Sequence, residues 1–422
     1  MSKLSSFLYR RARGWIAYAL IALAVIGTAG PSQGKSSGID SQVAALACAA
    51  ITERVDRLAG NGAVFLRSYD SERGTGEPGE PALRTAAFTY DNALATIALI
   101  ACGARAQAER VGEALRLAAL SDMRLRNVYR AGAVGDKPLP NGWWDRKASR
   151  WFEDSYQDGT ATGNVAWAAL ALLALHDATG ELHWRDAAAR LATWVAANTG
   201  DARVAGGFTG GIEGFDAAPK KVLWKSTEHN IDLVALFTWL DRVEAKDEWR
   251  QHALQARSFV DAQWDAASGH FWIGTLADGV TPNRIVSALD VQLWSQLLPD
   301  ADKRWPRALV WAERKHGVAG GFDFNDDRDG SWTEGAAQAA LVYRRLGRGS
   351  DADALLATIA RQTSEGGFVY ATREPRITTG LAIGGDSTSA DFYYYRRPHL
   401  GATAWAALAA LNRNPFISSR GR

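Results

Sequence analysis

The chain has 422 residues, of which 47% are hydrophobic and 22% are charged, a balance that excludes an intrinsically disordered protein and is typical of a chain with a large core. The formal net charge is +2. No dense group of basic residues lies beyond the first 34 positions, which argues against nucleic acid as a partner.

The first 34 residues have the order of a secretory leader. Three arginines at positions 10, 11 and 13 precede an apolar run from Trp15 to Gly27, and small residues follow it. The run is shorter than the ~20 apolar residues that a membrane span needs, so we predict a signal peptide over 1–34. The alternative is an uncleaved anchor in the bacterial inner membrane, the one membrane contact expected. Either reading predicts a periplasmic or secreted protein.

Beyond the leader, two kinds of apolar segment alternate along the chain. Amphipathic segments predict helices that face water, and alanine-rich segments that are apolar on every side predict helices that are buried on every side. The predicted outer helices cover 41–58, 104–119, 182–198, 247–263, 302–315 and 349–362. The predicted inner helices cover 92–103, 164–178, 230–240, 288–298, 335–346 and 401–411.

This alternation predicts an all-α fold, an (α/α)6 toroid or barrel of six helical hairpins in a single domain from about 40 to 420. Connections into the inner helices are long and contain glycine–aromatic segments at 206–208, 269–272, 320–322 and 366–368, which predict tight turns. The returns, such as Thr179 to Glu181, are short. Long connections gathered at one end of a barrel predict a functional face there.

The only two cysteines, Cys48 and Cys102, fall in predicted helical segments. A disulfide in an oxidising compartment and two buried free thiols are both consistent with this pattern.

Acidic residues stand at the starts of four inner helices, and parallel inner helices would bring them to one mouth. A single carboxylate at a helix start is usually a cap. Several carboxylates in one cavity have their pKa values driven apart, which provides one acid and one base. The candidate catalytic residues are therefore Glu228, Glu334, Asp290 and Asp91.

Aromatic and polar residues of the neighbouring loops are candidate substrate-binding residues. Indole faces suit stacking on sugar rings, although the same side chains could simply anchor loops. The two histidines could transfer protons or orient a carboxylate. These candidates are Trp143, Trp144, Trp151, Asp154, Asp158, Trp224, His229, Asn230, Trp332, Tyr394 and His399.

No metal and no organic cofactor is expected. The histidines lack metal-ligand spacing, and the stretch 325–334 imitates a calcium loop only in part, so it is interpreted as an acidic turn. The sequence contains no phosphate-binding loop, dinucleotide fingerprint or serine-hydrolase elbow.

The chain resembles the six-hairpin glycosidase superfamily, the (α/α)6-barrel carbohydrate enzymes of bacteria. The resemblance lies in the segments 89–93, 226–230, 332–338 and 414–416. It implies an extracytoplasmic glycoside hydrolase that acts on a poly- or oligosaccharide with inversion, using one protonated carboxyl and one carboxylate that activates water. Glu228 is the predicted acid, Asp290 or Glu334 the predicted base, and Asp91 a supporting residue.

Two other classes stay open, because this barrel hosts several chemistries. A polysaccharide lyase or sugar epimerase would use His229 or His399 for proton transfer, with Lys225 or Arg396 against a uronate carboxylate. A non-catalytic glycan-binding or export protein would bind glycans and release no product. The sequence carries no signal for the sugar, the linkage or the oligomeric state.

Overall fold

The computed structural model describes residues 38–71, 77–383, 389–390 and 392–420. The predicted leader lies outside these ranges. Within them, no helix is both long enough and apolar enough to cross a membrane.

Helices dominate the described chain, and they follow the predicted alternation. Twelve of them correspond to the twelve predicted segments, and a one-turn helix, α4, is added in the loop before the second inner helix. The helices are α1 Gly38–Asp56, α2 Thr89–Ala101, α3 Arg105–Ser121, α4 Ser155–Asp158, α5 Thr162–Thr179, α6 Leu182–Thr199, α7 Thr227–Glu244, α8 Asp247–Ala262, α9 Leu289–Trp294, α10 Pro306–Lys315, α11 Thr333–Arg345, α12 Gly349–Ala360 and α13 Leu400–Ala410.

Six helices form an inner ring in which each contacts the next, in the order α2, α5, α7, α9, α11, α13 and back to α2. Their alanine-rich sequences allow this close approach, and nearly every residue of α5 and α13 is buried. The amphipathic helices pack outside, and their buried residues follow one stripe, as in Ala108, Val111 and Leu115 of α3. The predicted toroid of six helical hairpins is therefore confirmed.

Each of the first five hairpins consists of an inner helix and the outer helix that follows it. Their returns are short, except for the eleven residues between α9 and α10. Glycines with left-handed backbone, Gly103 and Gly180, make two of these turns possible. The sixth hairpin joins the two ends of the chain, because α13 packs against α1. A disulfide between Cys48 of α1 and Cys102, the residue that caps the end of α2, ties the first two helices together.

The fourth inner helix is shorter than predicted. We expected a helix over 288–298, whereas α9 ends at Trp294 and a 3₁₀ turn, Ser295–Leu297, follows it. Leu298 is extended because Pro299 disfavours helical backbone in the residue before it. The following outer helix begins at Pro306, a residue suited to the first helical position.

Short antiparallel strand pairs shape the connections between hairpins. They pair as β1–β4, β2–β3, β5–β6, β7–β8–β9, β10–β11, β12–β13 and β14–β15. Gly269 and Gly320 make the predicted turns of two pairs, both with left-handed backbone. The strands are β1 Val64–Phe65, β2 Ala86–Phe88, β3 Val128–Arg130, β4 Gly132–Ala133, β5 Trp143–Asp145, β6 Arg150–Phe152, β7 Thr160–Ala161, β8 Gly211–Glu213, β9 Lys220–Val222, β10 Trp264–Asp265, β11 His270–Phe271, β12 Gly317–Val318, β13 Gly321–Phe322, β14 Arg376–Thr378 and β15 Tyr393–Tyr395.

Candidate active site

A cavity of about 700 Å³ lies at the end of the toroid where the inner helices begin. Side chains from the first turns of α2, α7, α9 and α11 line it, together with residues of the strand-paired connections. This volume lies in the range of small-molecule and cofactor sites in proteins.

All four candidate catalytic acids line this cavity. Each lies in the first turn of its inner helix: Asp91 in α2, Glu228 in α7, Asp290 in α9 and Glu334 in α11. Capping does not account for most of them. Of the four, only the Asp290 carboxylate accepts a hydrogen bond from a backbone N–H within the described chain, that of Val291 at 2.7 Å. In α7 the cap is Ser226.

Glu334 is held by a short chain of hydrogen bonds. The Tyr90 hydroxyl donates to Glu334 Oε1 at 2.6 Å and accepts from the Trp405 indole N–H at 2.9 Å. Glu334 Oε2 is buried and has no hydrogen-bond partner among the described residues. Burial raises the pKa of Glu334 to about 7, and nearby positive charge on His399 and the Tyr90 hydrogen bond oppose that rise. This carboxyl can therefore take up and release a proton near neutral pH.

His399 lies between two of the acids. Its Nε2 is 3.5 Å from Asp91 Oδ2, and its Nδ1 is 4.0 Å from Glu334 Oε2. Because Nδ1 accepts the backbone N–H of Ala402 at 3.2 Å, the proton of the neutral ring belongs on Nε2, facing Asp91. Burial opposes charge on the ring, but the adjacent carboxylates raise the pKa of His399 above its ordinary value.

Glu228 is the acid with the freest carboxyl. It is half-buried, and no described residue hydrogen-bonds to its carboxyl oxygens. Burial and the neighbouring Asp290 and Glu334 carboxylates raise its pKa well above the ordinary value. Burial also raises the pKa of Asp290 to about 7. Glu228 therefore stays protonated to higher pH than an ordinary glutamic acid, and its carboxyl faces the cavity.

Sequence reasoning missed Asp232, which lies one helical turn after Glu228 on α7. Asp232 is fully buried, and neither carboxyl oxygen has a hydrogen-bond partner among the described residues. Burial, followed by the Glu228 and Asp290 carboxylates, raises its pKa. The available signal was the spacing of two acids four residues apart on an otherwise apolar helix.

Six of the eleven candidate substrate-binding residues line the cavity: Asp154, Trp224, His229, Trp332, Tyr394 and His399. Burial lowers the pKa of His229 to about 4, so its ring is neutral near pH 7. Five further tyrosines that were not among the candidates also line the cavity: Tyr69, Tyr90, Tyr156, Tyr393 and Tyr395.

The other five candidates lie outside the cavity lining. Trp144 and Trp151 face each other across the β5–β6 pair, on its solvent side, with 58% and 42% exposure. Trp143 stacks on Phe152 on the opposite side of that pair. The strand register, which the sequence pattern did not reveal, decides these directions.

The last two of these five are held by structural contacts. Asp158 forms a 2.6 Å ion pair with Arg126. Asn230 is fully buried and fixes the backbone of Phe208 with two hydrogen bonds. A direct role in substrate binding is therefore unsupported for both residues.

Two residues of the stretch interpreted as an acidic turn, together with Asp323 just before it, form a compact carboxylate group. Oxygens of Asp323, Asp327 and Asp329 lie within 4.8 Å of one another, close enough to hold a cation. Asp323 is buried, and Asp327 and Asp329 are exposed. Asp323 accepts the backbone N–H of Phe324, and Asp327 accepts that of Asp329, so the group also organises its own loop.

Comparison with known proteins identifies the fold of this chain alone. No family model matches the chain, and no curated protein matches it. Among solved structures, a wild-type glycosidase is similar with a TM-score of 0.59 and 14% identity, over 90% of this chain and 99% of that one. A cellobiose 2-epimerase from Spirochaeta thermophila has a TM-score of 0.60 and 15% identity, over 88% and 96%.

A GH76 α-mannanase from Bacteroides thetaiotaomicron is similar with a TM-score of 0.56 and 12% identity, over 88% of this chain and 95% of that one. At such low identities the likeness establishes the architecture alone. With its ring of six inner helices, this chain has the (α/α)6 fold of the six-hairpin glycosidase superfamily.

Proposed function

We propose that this protein is a carbohydrate-active enzyme, and specifically a glycoside hydrolase that works by inversion. The observation that carries the proposal is the convergence of Asp91, Glu228, Asp290 and Glu334 on one cavity. Burial raises the pKa of Glu228, Asp290 and Glu334, and neighbouring carboxylates add to the rise for Glu228 and Glu334. Glycoside hydrolysis needs this combination of a protonated carboxyl and a carboxylate.

Glu228 is the proposed general acid. Its carboxyl faces the cavity, makes no hydrogen bond to another described residue, and holds its proton above the ordinary range because of burial and the neighbouring carboxylates. In the reaction it would donate that proton to the departing glycosidic oxygen as the C–O bond breaks.

Glu334 is the proposed general base. The Tyr90 hydroxyl holds one oxygen in place, while the other has no donor within the described chain and can accept a proton from water. Positive charge on His399 favours the ionised form of Glu334. The water would attack the anomeric carbon on the face opposite the leaving group. Asp290 is the alternative base, and Asp91 would keep His399 charged.

Aromatic side chains give the cavity surfaces suited to sugar rings. Trp224, Tyr156, Trp332 and Tyr394 line it beside the acids. Stacking on such faces contributes affinity at a low cost in side-chain entropy.

An extracytoplasmic location is part of the proposal. The Cys48–Cys102 disulfide supports an oxidising compartment, where such bonds persist. The basic and apolar leader of residues 1–34 is the matching sequence signal.

The test is incubation of the purified protein with a panel of poly- and oligosaccharides, followed by chromatography and mass spectrometry. Products heavier by one water per bond cleaved are expected, and proton NMR of the first product should show the inverted anomer. The retained anomer would refute inversion. Glycan binding without any product would identify the non-catalytic class instead.

A sugar epimerase is a second candidate, favoured by the two histidines. Burial lowers the pKa of His229 to about 4, whereas neighbouring carboxylates raise that of His399 against its burial, so one ring can accept a proton while the other donates one. Products of unchanged mass that differ in configuration, with one solvent deuterium incorporated in D₂O, would select this function.

The two cations that the sequence suggested for a lyase, Lys225 and Arg396, contact other parts of the protein. The Lys225 ammonium is held by backbone carbonyls of Arg203 and Gly206. Arg396 lies over the Tyr370 ring and is absent from the cavity lining. Neither cation is therefore placed to pair with the carboxylate of a uronate bound in the cavity.

A further inference from the structure

Acidic side chains outnumber basic ones in the lining of the candidate active-site cavity. Seven carboxylates line it within the described chain: the four candidate catalytic acids and Glu80, Asp154 and Glu213. Against them stand one lysine, Lys225, two histidines and, among the described lining residues, no arginine.

The single lysine does not offset these carboxylates, because its ammonium already binds other groups of the protein. Lys225 has a fully buried side chain whose Nζ donates to the backbone oxygens of Arg203 at 3.0 Å and Gly206 at 2.8 Å. The Asp201 carboxylate lies 3.5 Å from the same ammonium. A ligand in the cavity therefore gains little from this cation.

Three arginines of the connecting segments stack their guanidinium groups on aromatic rings. Arg130 lies over Trp151, Arg284 over Trp272 and Arg376 over Tyr393. None of these three arginines is part of the cavity lining. An anionic sugar would thus meet no arginine in the described lining, and the one lysine there is already held by protein groups.

Two acceptor oxygens of cavity-lining residues lie close together beside Gly401. A Cβ placed on Gly401 would lie 2.5 Å from Asp91 Oδ1 and 3.0 Å from Glu334 Oε2, so both oxygens pack against the same glycine. Glu334 is 1% exposed, and its Oε2 has no hydrogen-bond partner in the described chain. A buried acceptor without a donor costs free energy that a suitable ligand would recover.

We propose that the sugar bound beside Asp91 and Glu334 carries a free amino group, so that the substrate is a glycan containing de-N-acetylated hexosamine. An ammonium can donate to Asp91 Oδ1 and to one lone pair of Glu334 Oε2, whose second lone pair stays available to the attacking water. It also offsets the excess of carboxylates, whereas a uronate, sulfate or phosphate adds to that excess. This amino sugar would be the substrate of the proposed hydrolase, so its cleavage rests on that proposed function.

Binding can be measured without catalysis, by calorimetric or tryptophan-fluorescence titration of the full chain at pH 7 in low salt, where a Glu334 carboxyl with a pKa of about 7 is substantially ionised. The probes are glucosamine, glucose and glucuronate. Because a charge-assisted hydrogen bond is worth more than a neutral one, glucosamine should bind about tenfold or more tightly than glucose, and glucuronate should bind weakest. Glucose or glucuronate binding as tightly as glucosamine would overturn the proposal, as would the absence of glucosamine binding.

A matched pair of variants tests where the preference arises. Glu334→Gln removes the charge beside Gly401 and should reduce the ratio of glucosamine to glucose affinity by about tenfold. Glu109→Gln removes a carboxylate from the outer surface of α3, where it pairs with Arg105, and should leave that ratio unchanged. Equal ratios in both variants would contradict the placement of the amine, provided that circular dichroism shows both to be folded.

Hydrolysis assays separate this proposal from the proposed function. Oligosaccharides of one linkage should be compared with their amines free and N-acetylated, beside neutral and uronate-containing chains. Cleavage confined to neutral, acetylated or uronate chains would refute the amine and keep the hydrolase. Tight glucosamine binding with no cleavage of any chain would keep the amine and refute the hydrolase.

Discussion

At the scale of single residues, the four acids differ mainly in their surroundings. Glu334 is fixed by Tyr90 and faces His399, while Glu228 is free of protein hydrogen bonds in the described chain. These environments separate the two roles, because one carboxyl is stabilised as an anion and the other is not. The amino-acid types alone did not distinguish them.

Replacement of either acid by its amide should abolish most of the activity. Glu228→Gln and Glu334→Gln remove proton transfer, which contributes about 10²–10⁴-fold to rate, while they keep the side-chain shape. Steady-state kinetics on the best glycan from the panel, with Glu109→Gln as the surface control, measures the effect. Full activity in Glu228→Gln would refute its role as the acid.

The pH dependence of kcat/KM should be bell-shaped. The base must be ionised, and burial raises the pKa of both Glu334 and Asp290 to about 7, so activity should rise as the pH increases through about 7. It should fall again at higher pH, where Glu228 loses its proton. A rate that is already maximal at pH 5 would contradict this assignment.

Tyr90→Phe identifies which carboxyl produces the acidic limb of that profile. The Tyr90 hydroxyl lowers the pKa of Glu334 by donating a hydrogen bond, so its removal should move the acidic limb to higher pH. A limb that stays in place would indicate Asp290 as the base. Tyr156→Phe, a cavity tyrosine with no hydrogen bond to Glu334, is the matched control.

At the scale of helices, the sequence predicts where a helix lies more accurately than where it ends. Predicted and observed spans of α5 and α12 differ by two residues or fewer at each end, since apolar and amphipathic periodicity extends over several turns. The span of α9 was wrong because Pro299 stops the helix from its C-terminal side.

The disulfide between α1 and α2 should stabilise the fold without contributing to activity. It closes a separation of 54 residues, for which the chain-entropy relation gives about 4 kcal/mol, and engineered or strained bridges often deliver less. The double variant Cys48→Ala, Cys102→Ala should therefore lose about 2–4 kcal/mol in urea unfolding. Activity should remain, because Cys102 ends α2 and Asp91 begins it.

The reductant serves as the control for this prediction. Dithiothreitol should lower the stability of the parent protein to that of the double variant and leave the variant unchanged. Equal stability of the oxidised parent and the variant would refute a stabilising role for the bridge.

At the scale of the whole molecule, the toroid buries several carboxyl groups, and burial disfavours their ionised form. Asp290 is 3% exposed with a pKa raised to about 7, and Asp232 is fully buried. Active sites commonly cost stability in this way, and the large alanine-rich core of the inner ring offsets the loss.

Asp290→Asn should therefore stabilise the protein near neutral pH. The pKa of Asp290 is higher in the folded than in the unfolded state, so its penalty is absent below about pH 4, grows as the pH rises, and is complete above about 7. The variant should gain about 1–3 kcal/mol at pH 8 and nothing at pH 4 in urea unfolding. A loss of stability at pH 8 would contradict the prediction.

By itself, the sequence determined the order and character of the twelve helices that build the hairpins, because apolar periodicity distinguishes a helix buried on one side from one buried on all sides. It also placed four acids at helix starts that share one mouth. It did not determine the directions of Trp144 and Trp151, since strand register decides which face a side chain takes.

Only the tertiary structure decided what the acids can do. The partners that set their protonation come from distant parts of the chain: Tyr90 meets Glu334 across 244 positions, and His399 meets Asp91 across the junction of the first and last inner helices. Protonation depends on burial and on the distances between charges, which exist only once the ring of inner helices is complete.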